Sequence, residues 1–272
     1  MGFLFVDSID QIKSGKSARG RFKIPAGALI PPNLLAEGVG QLAGWIAMEH
    51  CDFLARPVAG IVGQCVIETQ PPSGDEVELE VEAGTCDSDA IEYRGSAMIE
   101  GHTIVRLSEC VGPMLPMEEF DDPLRVAKRF ELLRCGRQQT ELTAELLAST
   151  ALEPKLVRVD QGARAVLEVP ESSAIYAEHF PRKPVLPGTL LLDAQMRLGL
   201  SLVARGAGPK AGANGPRMVS IRNLKIRSFL SPGTTVELGA RLMPGRGLQQ
   251  IIALSATLQG KSVAAASMEI EP

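Results

Sequence analysis

His179-Phe180-Pro181-Arg182-Lys183-Pro184-Val185-Leu186-Pro187-Gly188, followed by Asp193 inside an apolar run, is the stretch that decides the fold. Pro181, Pro184 and Pro187 each fix φ, so the segment after the histidine is stiff. Gly188 allows close backbone approach to a ligand. It also falls where a helix begins, and the free N–H groups there carry the positive end of the helix dipole. The stretch therefore offers a base, a rigid frame and a donor for a developing oxyanion. The plainer alternative, a loop histidine bonded to a carbonyl, leaves the proline frame unexplained.

Outward from this stretch the chain repeats itself. Leu186-Pro187-Gly188-Thr189-Leu190-Leu191-Leu192-Asp193 matches Ile30-Pro31-Pro32-Asn33-Leu34-Leu35-Ala36-Glu37 at an offset of 156 residues. Pro232-Gly233-Thr234-Thr235-Val236-Glu237-Leu238 matches Ser73-Gly74-Asp75-Glu76-Val77-Glu78-Leu79 at an offset of 159, and Ala256–Gly260 matches Ala97–Gly101 at the same offset. The order is the same in both halves. Two copies of one unit are expected, over 1–116 and 156–272, with 117–155 as a crossover carrying short helices near Leu124–Leu133 and Thr140–Leu147. Each copy reads as a strand (Ala18–Ile24, Ala163–Val169), a proline-punctuated loop, one long helix (Asn33–Glu49, Thr189–Arg205) and several antiparallel strands. The helices are apolar nearly all round, which implies burial on several sides. Val77-Glu78-Leu79-Glu80-Val81-Glu82 is a period-two strand. The expected class is α+β.

Composition narrows the rest. Apolar residues are 45% and charged residues 22% of the 272, as in an ordinary folded chain. A net charge of −4 gives no bulk attraction to nucleic acid. The apolar stretches near Leu34–Met48 and Thr189–Ala204 are interrupted by Glu37, Gln41, Asp193 and Arg197, so no membrane span is expected. The start lacks the basic region of a signal peptide. The five cysteines lack CxxC spacing and are odd in number, as expected for reduced thiols of a cytoplasmic protein.

The acids complete the pattern. Asp193 lies in the second long helix and Glu37 at the matching place in the first, and carboxylates in such apolar segments are costly unless paired. Gln41 is four residues after Glu37, on the same helix face.

His179-Phe180-Pro181-x-x-Pro184-Val185-x-Pro187-Gly188 with Asp193 closely resembles the signature of the bacterial 3-hydroxyacyl-acyl-carrier-protein dehydratases. Ile24–Leu42 is a weaker echo of it, and Val58-Ala59-Gly60-Ile61 looks like the strand after the helix. The resemblance implies a double hot dog: two antiparallel sheets, each wrapping a central helix, joined into one continuous sheet as a pseudo-dimer. It also implies sites shared between copies, histidine from one and carboxylate from the other. Carried over residue by residue, one site combines His179 and Gly188 with Glu37 and Gln41. The other pairs Lys23 and Pro32 with Asp193 and Arg197, and lacks both a base and an N–H donor. One working site is thus expected, with Asp193 outside it.

The implied reaction is loss of water from a 3-hydroxyacyl thioester to give a trans-2-enoyl thioester, a hydro-lyase step of fatty-acid or related lipid or polyketide synthesis. The substrate is carried on the phosphopantetheine of an acyl carrier protein, and no metal or redox cofactor is expected. His179 is assigned the α-proton, the Gly188 N–H the thioester carbonyl, Glu37 the departing hydroxyl, and Gln41 the orientation of Glu37. Association of chains into a homo-oligomer fits the resemblance. Two alternatives stand beside this: a hot-dog hydratase or thioesterase acting on acyl-CoA, and a non-catalytic acyl-binding or assembly subunit. Polyketide-synthase dehydratase domains also pair two hot dogs, but with histidine in the first half and acid in the second, the reverse of this order. Arg182 stands where the family usually has glycine, and it either narrows the entrance or grips a phosphate. Arg217, Arg222, Lys225 and Arg227 form either a solvated strand face or a docking patch for an acidic carrier.

Overall fold

Alternation and turn chemistry place the strands, and a computed structural model shows the result for residues 3–26, 28, 30–69, 76–136, 143–159, 162–177, 179–206, 217–245 and 249–271. The repeat residues Ser73, Gly74 and Asp75, the echo residues Gly27 and Leu29, and the start of the helix expected from Thr140 lie outside the described residues. The chain forms two compact units. The first is Met1–Thr150 with Ser172–Val185, and the second is Ala151–Glu171 with Leu186–Pro272.

The first unit contains β1 (Ser8–Lys13), β2 (Ser17–Lys23), α1 (Pro32–His50), β3 (Ala55–Pro57), β4 (Ile61–Ile67), β5 (Glu76–Cys86), β6 (Ala90–Ile99), β7 (His102–Pro116), α2 (Pro123–Arg134) and α3 (Ala144–Ser149). Its antiparallel strands lie in the order β1-β2-β5-β6-β7-β4, with β3 added on β7. In β5, Val77, Leu79 and Val81 are buried while Glu78 points outward, as the alternation requires. α1 packs against β2, β3, β5, β6 and β7. It buries Leu34, Leu35, Val39, Leu42, Ala43, Ile46 and Ala47, which explains why the helix is apolar on most sides.

The second unit contains β8 (Lys155–Val159), β9 (Ala163–Glu168), α4 (Gly188–Gly206), β10 (Arg217–Ile226), β11 (Thr235–Met243), β12 (Gln250–Leu258) and β13 (Lys261–Glu271). The order β8-β9-β11-β12-β13-β10 reproduces that of the first unit, with α4 on β9, β11 and β12. The repeat extends to turn geometry. Glu100 and Gly101 have φ of 51° and 77°, and Gln259 and Gly260 have 51° and 76°. Two successive positive φ values make the hairpin turn whose twist matches its strands, and glycine takes the second position without a Cβ penalty. The sequence reading missed β1 and β8, whose short polar segments alternate weakly.

The compact units divide the chain elsewhere than the repeat boundaries 1–116, 117–155 and 156–272 do. The crossover helix α2 belongs to the first unit because Phe130 lies against Trp45 at 5.9 Å and Phe53 at 5.4 Å between ring centroids. α2 starts where Asp122 accepts hydrogen bonds from the Leu124 and Arg125 N–H groups at 2.8 and 3.1 Å, with Pro123 just inside. The Asp121-Asp122-Pro123 sequence is therefore a helix cap. Asp122→Ala is expected to lower the unfolding free energy by about 1 kcal/mol. A urea midpoint equal to the parent's contradicts this cap assignment.

Candidate active site

The loop that carries His179, Ser172–Val185, belongs to the first compact unit, together with the N-terminal copy. Several contacts hold it there. The Arg182 N–H donates to the Phe120 carbonyl at 2.9 Å and Arg182 Nη1 to the Glu118 carbonyl at 3.1 Å. Lys183 Nζ pairs with Glu119 at 2.9 Å and lies 5.0 Å from the Phe120 ring centroid. Phe120, Phe180 and Val185 form a buried apolar cluster, with Val58 and Leu115 against it. Arg182 thus clamps the loop, a use the sequence reading did not consider.

His179 sits at the base of this loop. Its ring stacks on Phe180 at 4.2 Å and meets Phe3 edge-on at 5.9 Å. Nδ1 is enclosed and makes no well-aligned hydrogen bond among the described residues. Burial first, then the nearby Arg56 charge, push the imidazole pKa down to about 3, while hydrogen bonding to the Val185 main chain pulls weakly the other way. The ring is neutral at neutral pH and so already in the form that accepts a proton. Phe180 has φ of +47°, a conformation that bulky residues rarely adopt. The packing around the Phe180 ring holds that turn in place.

The acid side comes from α1. Gln41 Nε2 donates to Glu37 Oε1 at 3.0 Å and to the Phe3 carbonyl at 3.1 Å, while Gln41 Oε1 accepts from the Phe5 N–H at 2.9 Å. This arrangement needs the N-terminal segment to lie close on the helix. Gly38 permits it, since a Cβ there would stand 3.0 Å from the Phe5 carbonyl oxygen. Gln41 therefore ties Glu37 to Phe3, and Phe3 in turn touches His179. Glu37, Gln41 and His179 fall in one compact unit. Gly188 is the first residue of α4 in the second unit.

The residues assigned to a second site are otherwise engaged. Lys23 is exposed, and Pro32 opens α1 without an N–H to give. Asp193 is 7% exposed and accepts from Arg197 Nε at 2.6 Å, and Arg197 also reaches Glu153 at 3.3 Å. That hydrogen bond to Asp193 raises the Arg197 pKa. On the basic strand, Arg217 pairs with Glu271 at 3.2 Å and Arg222 with Glu269 at 2.7 Å, which leaves less free charge for docking than the sequence offered. His102 is exposed at its hairpin, and His50 Nδ1 contacts Ser14 Oγ at 3.2 Å.

Sequence reasoning missed two participants, Phe3 and Arg56. Arg56 is the only charge between Asp52 and Glu68, and that isolation was the available signal. Its guanidinium carbon lies 4.1 Å from the Phe180 ring centroid and 5.8 Å from that of Phe120. Burial pushes its pKa down to about 10, against the pull of Asp121 and Glu37. It stays charged at neutral pH.

A family model described as ApeI-like, ApeI dehydratase, matches residues 157–264. The 3-hydroxyacyl-acyl-carrier-protein dehydratase FabZ of Rickettsia felis is 26% identical over 119 residues, which span 44% of this chain and 79% of the relative. The FabZ of Rickettsia bellii (strain OSU 85-389) is 29% identical over 93 residues, spanning 34% of this chain and 63% of the relative. These matches support a hot-dog protein of the 3-hydroxyacyl-acyl-carrier-protein dehydratase kind over the matched part of the chain. Solved structures extend the likeness along the chain as fold alone. The putative oleoyl thioesterase of Lactobacillus plantarum has a TM-score of 0.62 at 9% identity, covering 94% of this chain and 96% of that one. The tesB protein of Mycobacterium avium subs paratuberculosis has a TM-score of 0.57 at 11% identity, covering 98% and 96%. Among the described residues no helix is long and apolar enough to cross a membrane.

Proposed function

We propose that the chain is a duplicated hot dog that dehydrates 3-hydroxyacyl thioesters carried by acyl carrier protein, releasing trans-2-enoyl thioesters and water. The observation that carries this reading is the packing of the His179 loop in the same unit as Glu37 and Gln41. Neutral His179 takes the proton from the carbon next to the thioester carbonyl. The electron pair moves toward the carbonyl oxygen, whose growing charge is met by the Gly188 N–H at the start of α4. Collapse of the enolate forms the carbon–carbon double bond and expels the 3-hydroxyl, which Glu37 protonates directly or through water. Gln41 orients Glu37 through its 3.0 Å hydrogen bond.

The relatives' names supply the carrier-protein substrate, and the phosphopantetheine arm delivers it. No cofactor takes part in this scheme. The structural likeness to thioesterases names the competing outcome. Incubation of the chain with a 3-hydroxyacyl carrier protein is expected to give a carrier-bound product lighter by one water, with no free thiol. Release of free thiol, from this substrate or from an acyl-CoA, without water loss overturns the reading in favour of thioester hydrolysis. Binding of the acyl carrier protein with neither product favours an assembly subunit.

A further inference from the structure

Arg56 sits on β3, a three-residue strand whose partner is the end of β7, with Arg56 opposite Leu115. At the repeat offset of 156 residues Arg56 falls on Gly212, and the whole stretch from Ala207 to Pro216 contains no arginine. The sequence therefore places no arginine at the aligned position of the second copy, whereas Arg56 belongs to the copy that holds Glu37 and Gln41.

Its surroundings are those of the base. The guanidinium and the His179 ring both lie at stacking distance from the Phe180 ring, at 4.1 and 4.2 Å. Phe120 closes on the same ring edge-on at 4.9 Å. Nε of Arg56 is enclosed and has no hydrogen-bond partner among the described residues. A buried guanidinium without a partner for Nε is costly unless another interaction holds it. Here that interaction is the face of an aromatic ring, which favours the planar cation of arginine over the compact ammonium of lysine. The ring in question belongs to Phe180, the one residue of the loop with positive φ among the described residues.

We infer that Arg56 is the positioning residue of this site: its guanidinium, stacked on Phe180, locks the His179-Phe180 turn and presents a fixed positive charge to both His179 and the Glu37 carboxylate. The inference rests on His179 being the base. The charged groups around it come from each neighbouring element. α1 contributes Glu37, and the segment after β7 contributes Asp121, itself paired with Arg125 at 2.8 Å. The loop contributes His179, Arg182 and Lys183, the last two already tied to Asp122 and Glu119. Arg56 interacts electrostatically with both the base and the acid. Its charge helps keep His179 unprotonated.

The test compares the full chain with Arg56→Met and Arg56→Lys, reading kcat and KM on a 3-hydroxyacyl carrier protein and the His179 ring titration by NMR, with His50 and His102 as internal references. Arg56→Met is expected to lower kcat about a hundredfold with little change in KM, because the base is misplaced rather than lost. It is also expected to move the His179 titration to higher pH. Arg56→Lys is expected to keep the titration near the parent's and still to lower kcat about tenfold, since the charge returns without the stack. Should Arg56→Met not fold, the Arg56→Lys arm decides. Parent-like kcat and titration in Arg56→Met, or full recovery of kcat by Arg56→Lys, overturns the inference. If the parent dehydrates nothing, the reaction reading fails and the His179 titration in Arg56→Met alone decides on Arg56.

Discussion

His179→Ala is expected to lower kcat for dehydration by about 10³-fold with KM nearly unchanged, because it removes the only proton acceptor assigned to the first bond-breaking step. A steady-state assay on a 3-hydroxyacyl carrier protein reads the effect, and a variant within tenfold of the parent would falsify the base assignment. A second, independent signature accompanies it. The folded ring titrates near 3, whereas an unhindered histidine titrates at 6.5. Between those values the unfolded chain binds the proton that the folded chain refuses, so this group makes stability fall as pH drops from about 6.5 toward 3. The urea midpoint of the parent should therefore fall more steeply with acid than that of His179→Ala. Equal slopes would mean that the ring is not held neutral by its burial.

The parts of the molecule legible from sequence are those set by local physics. The buried helices announce themselves by apolar residues all round, and α1 and α4 end within a residue or two of the expected bounds. The two hairpins announce themselves by Glu100-Gly101 and Gln259-Gly260, whose chemistry matches the turn they make. Glu37 was found because the repeat set it opposite Asp193, Gln41 because it lies four residues further on the same helix, and His179 because of the proline frame after it; the repeated strand order of the two units supports the repeat.

What escaped notice depends on long-range packing. Arg56 gains meaning only when β3 pairs with β7 and brings it to Phe180, a residue far along the chain. Phe3 read as an ordinary apolar residue in a short run, yet its carbonyl accepts from Gln41 and its ring touches His179. Arg182 departs from the family pattern, and its hydrogen bond to Glu118 and ion pair with Asp122 show that it holds the loop. A repeat describes where sequence was copied. It does not describe which compact unit a loop joins, and here the loop Ser172–Val185 belongs to the first, together with the N-terminal copy.

That exchange sets up the sharpest contrast between variants. Glu37→Ala is expected to lower kcat about a hundredfold or more, since the departing hydroxyl loses its proton donor and Gln41 loses the group it orients. Asp193→Ala is expected to leave kcat near the parent's. Its carboxylate is occupied by Arg197 at 2.6 Å, so its loss appears as about 1 kcal/mol of stability rather than as lost chemistry. The same assay and a urea titration separate the two effects. An active Glu37→Ala beside an inactive Asp193→Ala reverses the pairing, and would return the acid to the motif that carries the histidine. Equal loss in both would mean that the Lys23 side still works, despite lacking a histidine and, at Pro32, an N–H. The two acids occupy equivalent helix positions and differ in their direct hydrogen-bond partners: Glu37 accepts from the Gln41 amide, while Asp193 accepts from the Arg197 guanidinium. A carboxylate must be free to exchange a proton to serve as the acid of an elimination, and a tight ion pair with arginine opposes that exchange.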